Sequence, residues 1–379
     1  MKLNPIAYAI VAAGLVAPGF AAYHGHTAHK STCGMPTGSS DVNSIVSGNS
    51  YNSGVDHNVC WHNRVRLSGD AEYGYVSTSN DELALVNLNI ALDAKLSDAW
   101  SAKVVFADKD TATAGTNGYG ILDHSAVTFN APGHGQAFPA ISEGYIAYHN
   151  AGKSPLYMKF GRTYLPFGHG NAYAPAVTQT AAMSLERADL IELGMASAKG
   201  WFANASYSMA STAVGGTAVG DGIYTAQVGF SHSFGGFKFD AGASYLSDIS
   251  QLGNATLASR HFTTALTADG SAYQAHVDTN IAGFDVGATY FNEDATNASI
   301  WGANVGYGFN AMGLKHSISV NYEAETGTKV YIDSLWTVGL NSEVSKNVSV
   351  NAYYQRAEQS AAKGGASDDG FLVGLKAAF

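Results

Sequence analysis

From Arg64 to the end of the chain, apolar and polar residues alternate with a period of two. In Leu85–Leu96, one face carries Val86, Leu88, Ile90, Leu92, Ala94 and Leu96, and the other carries Asn87, Asn89, Ala91, Asp93 and Lys95. Successive side chains of a strand point to opposite faces, whereas a helix repeats every 3.6 residues, so this stretch reads as a strand. Leu314–Glu323 sets Ile318, Val320 and Tyr322 against Ser317, Ser319, Asn321 and Glu323. In Ala272–Ile281 the polar face is Gln274, His276, Asp278 and Asn280. About sixteen such segments follow one another. They begin near Arg64, Leu83, Ala99, Ile141, Leu156, Glu186, Gly200, Gly222, Phe237, Ser271, Phe284, Ile300, Gly313, Val330, Asn347 and Gly370.

The connections carry a second, independent pattern. Every even-to-odd link is short: Ser97-Asp98, Asn150 to Ser154, Ser197 to Lys199, Gly235-Gly236, Ala282-Gly283, Ala311-Met312 and Ser345-Lys346. Several odd-to-even links are long, at 109–140, 165–185, 210–221, 248–270 and 358–369. Outer-membrane barrels have short periplasmic turns and longer external loops, and a soluble sandwich has no reason to keep that parity. Composition agrees. Charged residues are 13% of the chain, about half the usual soluble fraction. Mean hydropathy is −0.03, and beyond the first residues no apolar run of about 18 occurs. A wall with one lipid-facing and one wet face reconciles low charge with neutral hydropathy.

The expected fold is therefore all-β: a transmembrane antiparallel barrel of about 16 strands over 64–379, with a short N-terminal periplasmic extension. It belongs in the outer membrane of a Gram-negative-type cell as a multi-pass barrel with both termini periplasmic. Trp100, Trp201, Tyr245, Tyr290, Trp301 and Trp336 fall near strand ends, where girdles meet the lipid headgroups. In Gly370–Phe379, Phe371, Val373, Leu375, Ala377 and Phe379 line one face. A last strand of this pattern, ending in an aromatic, resembles the signal read by the barrel-assembly machinery. Outer-membrane lipid and that machinery are thus expected partners.

Residues 1–22 read as a signal peptide. Lys2 supplies the charge, Ile6–Val16 the apolar stretch, and Gly19-Phe20-Ala21 a small-x-small cleavage site. Residues 23–63 are rich in Ser, Asn, Gly and His and alternate little, which suits a periplasmic extension or plug-like segment. Cys33 and Cys60 lie in this exported stretch and are expected to form a disulfide, worth about 3 kcal/mol on the chain-entropy model. His24, His26 and His29 follow the cleavage site, and His57 and His62 flank Cys60. Such spacing could bind a transition metal, but a polar leader is the plainer reading and no metal is assigned.

Charge facing lipid costs several kcal/mol, so charged residues within strands are expected on the lumen face. Arg66, Asp70, Glu72, Asp93, Lys95, Lys103, Glu143, Lys159, Arg162 and Glu192 are the candidates for the lumen and its constriction. Arg162 and Glu143 are expected to pair across neighbouring strands. The acidic excess suggests mild cation preference for small solutes. The net charge of −10 argues against nucleic acid. No G-x-S-x-G, H-E-x-x-H or P-loop occurs, so neither an enzyme nor a cofactor is expected. Residues 165–185 hold little charge and many small residues, so this loop could fold into the pore or lie over the rim.

One stretch is distinctive: EGYIAYHN at Glu143–Asn150, then GRTYLPFG at Gly161–Gly168. It resembles the motif of LbtU-family siderophore porins, with Gly161, Arg162, Pro166, Phe167 and Gly168 as the matching positions. Cys60-Trp61-His62-Asn63-Arg64-Val65, followed by Leu67-Ser68-Gly69, also resembles the start of that family's barrel. The resemblance covers roughly residues 60–379 and implies a plugless outer-membrane channel for ferric siderophores. The short His-rich extension departs from the family's long helical one. A general or carbohydrate-selective porin and a non-conducting structural or adhesive barrel are the alternatives. Homotrimers are common among porins, though no sequence feature here demands one.

Overall fold

A computed structural model of the protein describes Val59–Trp61 and Val65 to Ala378, apart from residues 78–81, 98, 108–139, 150–153, 169–179, 181–186, 198, 209–210, 213–217, 220–221, 250–269, 295–296, 328–331, 360–364 and 366. The long strands are β2 (Val65–Ser77), β3 (Glu82–Lys95), β4 (Trp100–Ala107), β5 (Ala140–His149), β6 (Leu156–Tyr164), β7 (Arg187–Ala196) and β8 (Trp201–Ser208). They continue as β11 (Ile223–Phe234), β12 (Phe237–Leu246), β13 (Ala272–Ile281), β14 (Phe284–Glu293), β15 (Ala298–Ala311), β16 (Leu314–Thr326), β17 (Ile332–Ser345), β18 (Val348–Gln359) and β19 (Ser367–Ala378). Seven strands and nine make the sixteen, each antiparallel to its neighbours, and β19 pairs with β2 from Phe371↔Ser77 to Ala378↔Asp70 to close the ring. Closure leaves no open edge, the condition for a sheet to cross lipid.

Three short strands stand apart. β9 (Ser211–Thr212) and β10 (Ala218–Val219) form a small hairpin in the link between β8 and β11. β1 (Val59–Trp61) lies in the stretch read as an extension and pairs with Leu67 to Val65 of β2, just beyond the last β19 partner at Asp70. The Cys33–Cys60 disulfide, the signal peptide and His24, His26 and His29 fall on residues or side chains outside those described.

Tight turns close the short-link end. Ala282 and Met312 adopt positive φ (51° and 54°), each followed by a positive-φ glycine, Gly283 and Gly313. Two consecutive left-handed residues make the type I′ hairpin, whose twist matches the strands. The two faces then separate as the alternation requires. On β13, Gln274, His276, Asp278 and Asn280 are buried inside while Tyr273, Val277 and Ile281 face out. Leu92, Ile146, Leu156, Phe160, Leu193, Val228, Val286, Val305, Val320, Leu340 and Leu375 are likewise exposed on the outside. A continuous apolar belt of this extent is incompatible with water and suits hydrocarbon. Aromatic contacts ring both ends. Tyr207–Tyr224, Tyr245–Tyr273 and Tyr322–Trp336 lie toward the long loops, and Trp100–Tyr148, Trp201–Phe230 and Phe284–Tyr307 toward the turns.

Candidate functional site

The inner wall of β5–β8 carries a connected set of polar groups. Strand pairing aligns Lys159 with Glu192, and Tyr157 with Gly194 and Asn204 beyond it. Lys159 Nζ lies 3.1 Å from Glu192 Oε2, with both side chains nearly fully buried. Tyr157 donates its hydroxyl to Glu192 Oε1 at 2.6 Å and accepts from Asn204 Nδ2 at 3.1 Å. The Lys159 ammonium also sits 5.8 Å from the centre of the Tyr157 ring. Gly194 makes this possible, because a Cβ there would lie 2.4 Å from the ring. Both oxygens of Glu192 are therefore engaged, which offsets part of the cost of burying its charge.

Beyond β6 the chain turns inward. Leu165, Pro166 and Phe167 are buried, and Phe167 packs edge-on against Phe291 of β14 at 6.3 Å between ring centres. Gly168 N donates to Ser244 Oγ on β12 at 2.8 Å. β12 and β14 lie four and six strands from β6 around the ring, so these contacts cross the interior. Further along the loop, Thr180 Oγ1 donates to Glu323 Oε1 on β16 at 2.7 Å. Thr180 N donates to the same oxygen at 3.3 Å, and its hydroxyl also meets Thr289 Oγ1 at 3.3 Å. The described residues of the 165–185 loop thus lie inside the barrel, not over its rim.

The loop has an apolar seat. Leu165 and Phe167 join Leu190, Ile223, Leu246, Ile249, Ala272, Phe291 and Ile300 in one buried cluster. On β14 the inward register runs Asp285, Gly287, Thr289, Phe291, Glu293. A large apolar residue in an otherwise polar register signals that something apolar packs against it, and alternation alone does not say what.

The motif residues earn a structural explanation here. Gly161 has φ +128°, and a Cβ on it would lie 2.4 Å from Gly144 O of β5. Only glycine tolerates both conditions. Pro166, Phe167 and Gly168 then carry the chain to the lumen contacts described above.

The sequence-predicted lumen residues separate into groups. Asp70 faces inward and pairs with Lys376 at 3.4 Å. Asp93 stands opposite Lys103, with Lys95 two residues on in the same register. Glu143 is buried inside, and neither carboxylate oxygen accepts a hydrogen bond from the described residues. Arg66 and Glu72 hold backbone positions opposite Asp93 and Lys376, and their side chains are outside the description. Arg162 differs from expectation: it shares the outward register of Phe160, opposite Gly144 and Asp189. Its guanidinium lies 3.9 Å from Asp189 Oδ2. The expected Arg162–Glu143 pair does not form, because Glu143 occupies the other face. Arg162 sits near the end of β6, where the outer surface leaves the hydrocarbon and charge is tolerated.

The opposite wall, β12–β16, is more acidic. Asp278, Asp285, Glu293, Glu323 and Glu325 are buried on its inner face, with Asp240 in the same inward register. Tyr157, Thr180 and Glu323 were not among the sequence candidates. A tyrosine opposite a glycine was the one available hint for Tyr157.

The sequence matches no family model and no curated protein. Solved structures are similar in fold. The loop L8 deletion mutant of OmpT, an outer membrane protein of Vibrio cholerae, is 14% identical, with 83% of this chain and 99% of that one covered at a TM-score of 0.53. OmpT in its trimer form gives a TM-score of 0.50 at 12% identity over 83% and 99% of the two chains. The outer membrane channel DcaP of Acinetobacter baumannii is 12% identical, covering 83% and 97%, with a TM-score of 0.52. With its closed sixteen-strand ring and apolar outer belt, the chain is a multi-pass outer-membrane β-barrel with the fold of these outer-membrane proteins.

Proposed function

We propose that this protein is a porin-like diffusion channel for small hydrophilic solutes, with the 165–185 loop as its constriction. The observation that carries this reading is the Thr180–Glu323 contact, which fixes this residue of the loop to the inner wall at the height of Thr289, eight strands around the ring from β6. A loop held there narrows a sixteen-strand lumen that would otherwise be a wide aqueous channel. The acidic β12–β16 wall faces a mixed wall bearing Lys95, Lys103, Lys159 and Lys376, which supports mild cation preference. Within this reading, the resemblance of Glu143–Asn150 and Gly161–Gly168 to siderophore porins supports ferric siderophores as the solute. A general or sugar-selective porin is the competing specificity. The trimer form of the fold-related OmpT supports a homotrimer, checked by the mass of the detergent-solubilised protein.

Conductance in a planar bilayer tests the reading. A steady open conductance with a cation-side reversal potential in a salt gradient is expected. Ferric siderophore added to one side should block it; absence of block removes that solute and leaves the channel. A barrel that inserts and conducts nothing overturns the channel in favour of a structural or adhesive role.

A further inference from the structure

Four inward-facing side chains on β12, β13 and β15 converge near the turn end of the wall. Pairing sets Asp240 opposite Asp278, Gly242 opposite His276, and Gly287 between Asp278 and Asn304. Ligand atoms of Asp240, His276 and Asp278 all lie within 4.8 Å of one another. His276 Nε2 is 2.8 Å from Asp240 Oδ1. Two glycines make the space. A Cβ on Gly287 would fall 2.0 Å from Asp278 Oδ1 and 2.3 Å from Asn304 Oδ1, so both oxygens reach over the same bare stretch of backbone. A Cβ on Gly242 would fall 2.7 Å from the His276 ring.

Asn304 supplies an independent observation. It is 2% exposed, and neither Oδ1 nor Nδ2 has a hydrogen-bond partner among the described residues. A buried amide without a partner calls for an explanation. Its oxygen and Asp278 Oδ1 lie 2.3 and 2.0 Å from one point over Gly287, hence no more than about 4.3 Å apart, and two acceptors that close in a buried wall call for a cation or a donor between them.

We propose that Asp240, His276, Asp278 and Asn304 form a lumen-wall site for one divalent first-row transition-metal ion. The imidazole selects this class over calcium and magnesium, and two carboxylates balance a double positive charge. Metal–oxygen and metal–nitrogen bonds of about 2.0–2.2 Å hold two ligand atoms no more than about 4.4 Å apart, so a cluster spaced within 4.8 Å must draw in, and the 2.8 Å His276–Asp240 contact must open, for all to reach one ion. Lumen water completes the coordination. The competing arrangement turns the Asn304 amide over so that Nδ2 donates to Asp278; the cluster then closes on itself and takes no ion.

Zinc chloride titrated calorimetrically into the detergent-solubilised full chain decides between them, and this readout does not depend on conduction. One saturable site is expected that survives a His24→Ala/His26→Ala/His29→Ala triple variant. Asp278→Asn, and separately Gly287→Ala, should weaken it at least tenfold. Cobalt(II), followed by its visible absorption, should report the same losses. Heat-modifiable electrophoretic mobility shows that each variant is folded, and Asn304→Ala substitutes for any that is not. Zinc binding abolished by the N-terminal triple variant, unchanged by the wall variants, or absent altogether overturns the site.

Discussion

Replacing Thr180 by Val keeps the side-chain volume and removes the hydroxyl that ties the inner loop to the wall. The lost bond runs to a buried carboxylate at 2.7 Å, and the weaker contact to Thr289 goes with it. A hydrogen bond to a charged acceptor contributes about 1.5–3 kcal/mol. Taking about 2 kcal/mol, the ratio of docked to undocked loop falls roughly thirtyfold. The backbone bond from Thr180 N to Glu323 survives, so the loop is loosened rather than released. In single-channel recordings the variant should visit a higher-conductance level far more often than wild type. The strand pairing is untouched, so the variant should still give the folded, heat-modifiable band. Glu323→Gln, which keeps an acceptor but loses the charge, should fall between the two. A Thr180→Val channel with wild-type conductance levels and occupancies would refute the loop as the constriction.

Lys159→Met leaves Glu192 buried with only the Tyr157 hydroxyl, which should cost about 3–5 kcal/mol in urea unfolding from lipid vesicles. The Lys159→Met/Glu192→Met double variant should recover most of that loss; no recovery would count against the pair. Gly161→Ala meets both a positive φ and the Gly144 carbonyl, so the folded, heat-modifiable band should be lost from semi-native gels. A normal band would show that the β5–β6 contact relaxes. The expected Cys33–Cys60 disulfide should speed migration under non-reducing denaturing conditions, with Cys60→Ser abolishing the difference. Equal mobility with and without reductant in the wild type argues against it.

Much of the wall is legible in the residues because alternation is a local property. A side chain's face follows from its parity within the strand, so Gln274, His276, Asp278 and Asn280 could be assigned inward from ten residues of text. Charge as a proxy for the lumen is weaker, and Arg162 shows why. Lys159 and Arg162 are three apart, so an unbroken strand cannot aim both inward, and near the rim an outward arginine is not penalised. Register shifts add a second difficulty. Between β2 and β3 the partners step from Glu72↔Asn87 to Tyr73↔Leu85, so Val86 is passed over and the even-numbered face read across Leu85–Leu96 is not continuous.

The sequence by itself determined the strands, the short-turn parity, the sixteen-strand count and the division into lipid and lumen faces. Each depends on neighbours within a dozen residues and on the dielectric contrast between hydrocarbon and water. The tertiary structure alone decided which distant residues meet. Phe167 finds Phe291, Thr180 finds Glu323, and Asp278 meets Asn304 over Gly287. Those contacts depend on the barrel's closure and on strand register across the ring, which no local pattern of polarity encodes.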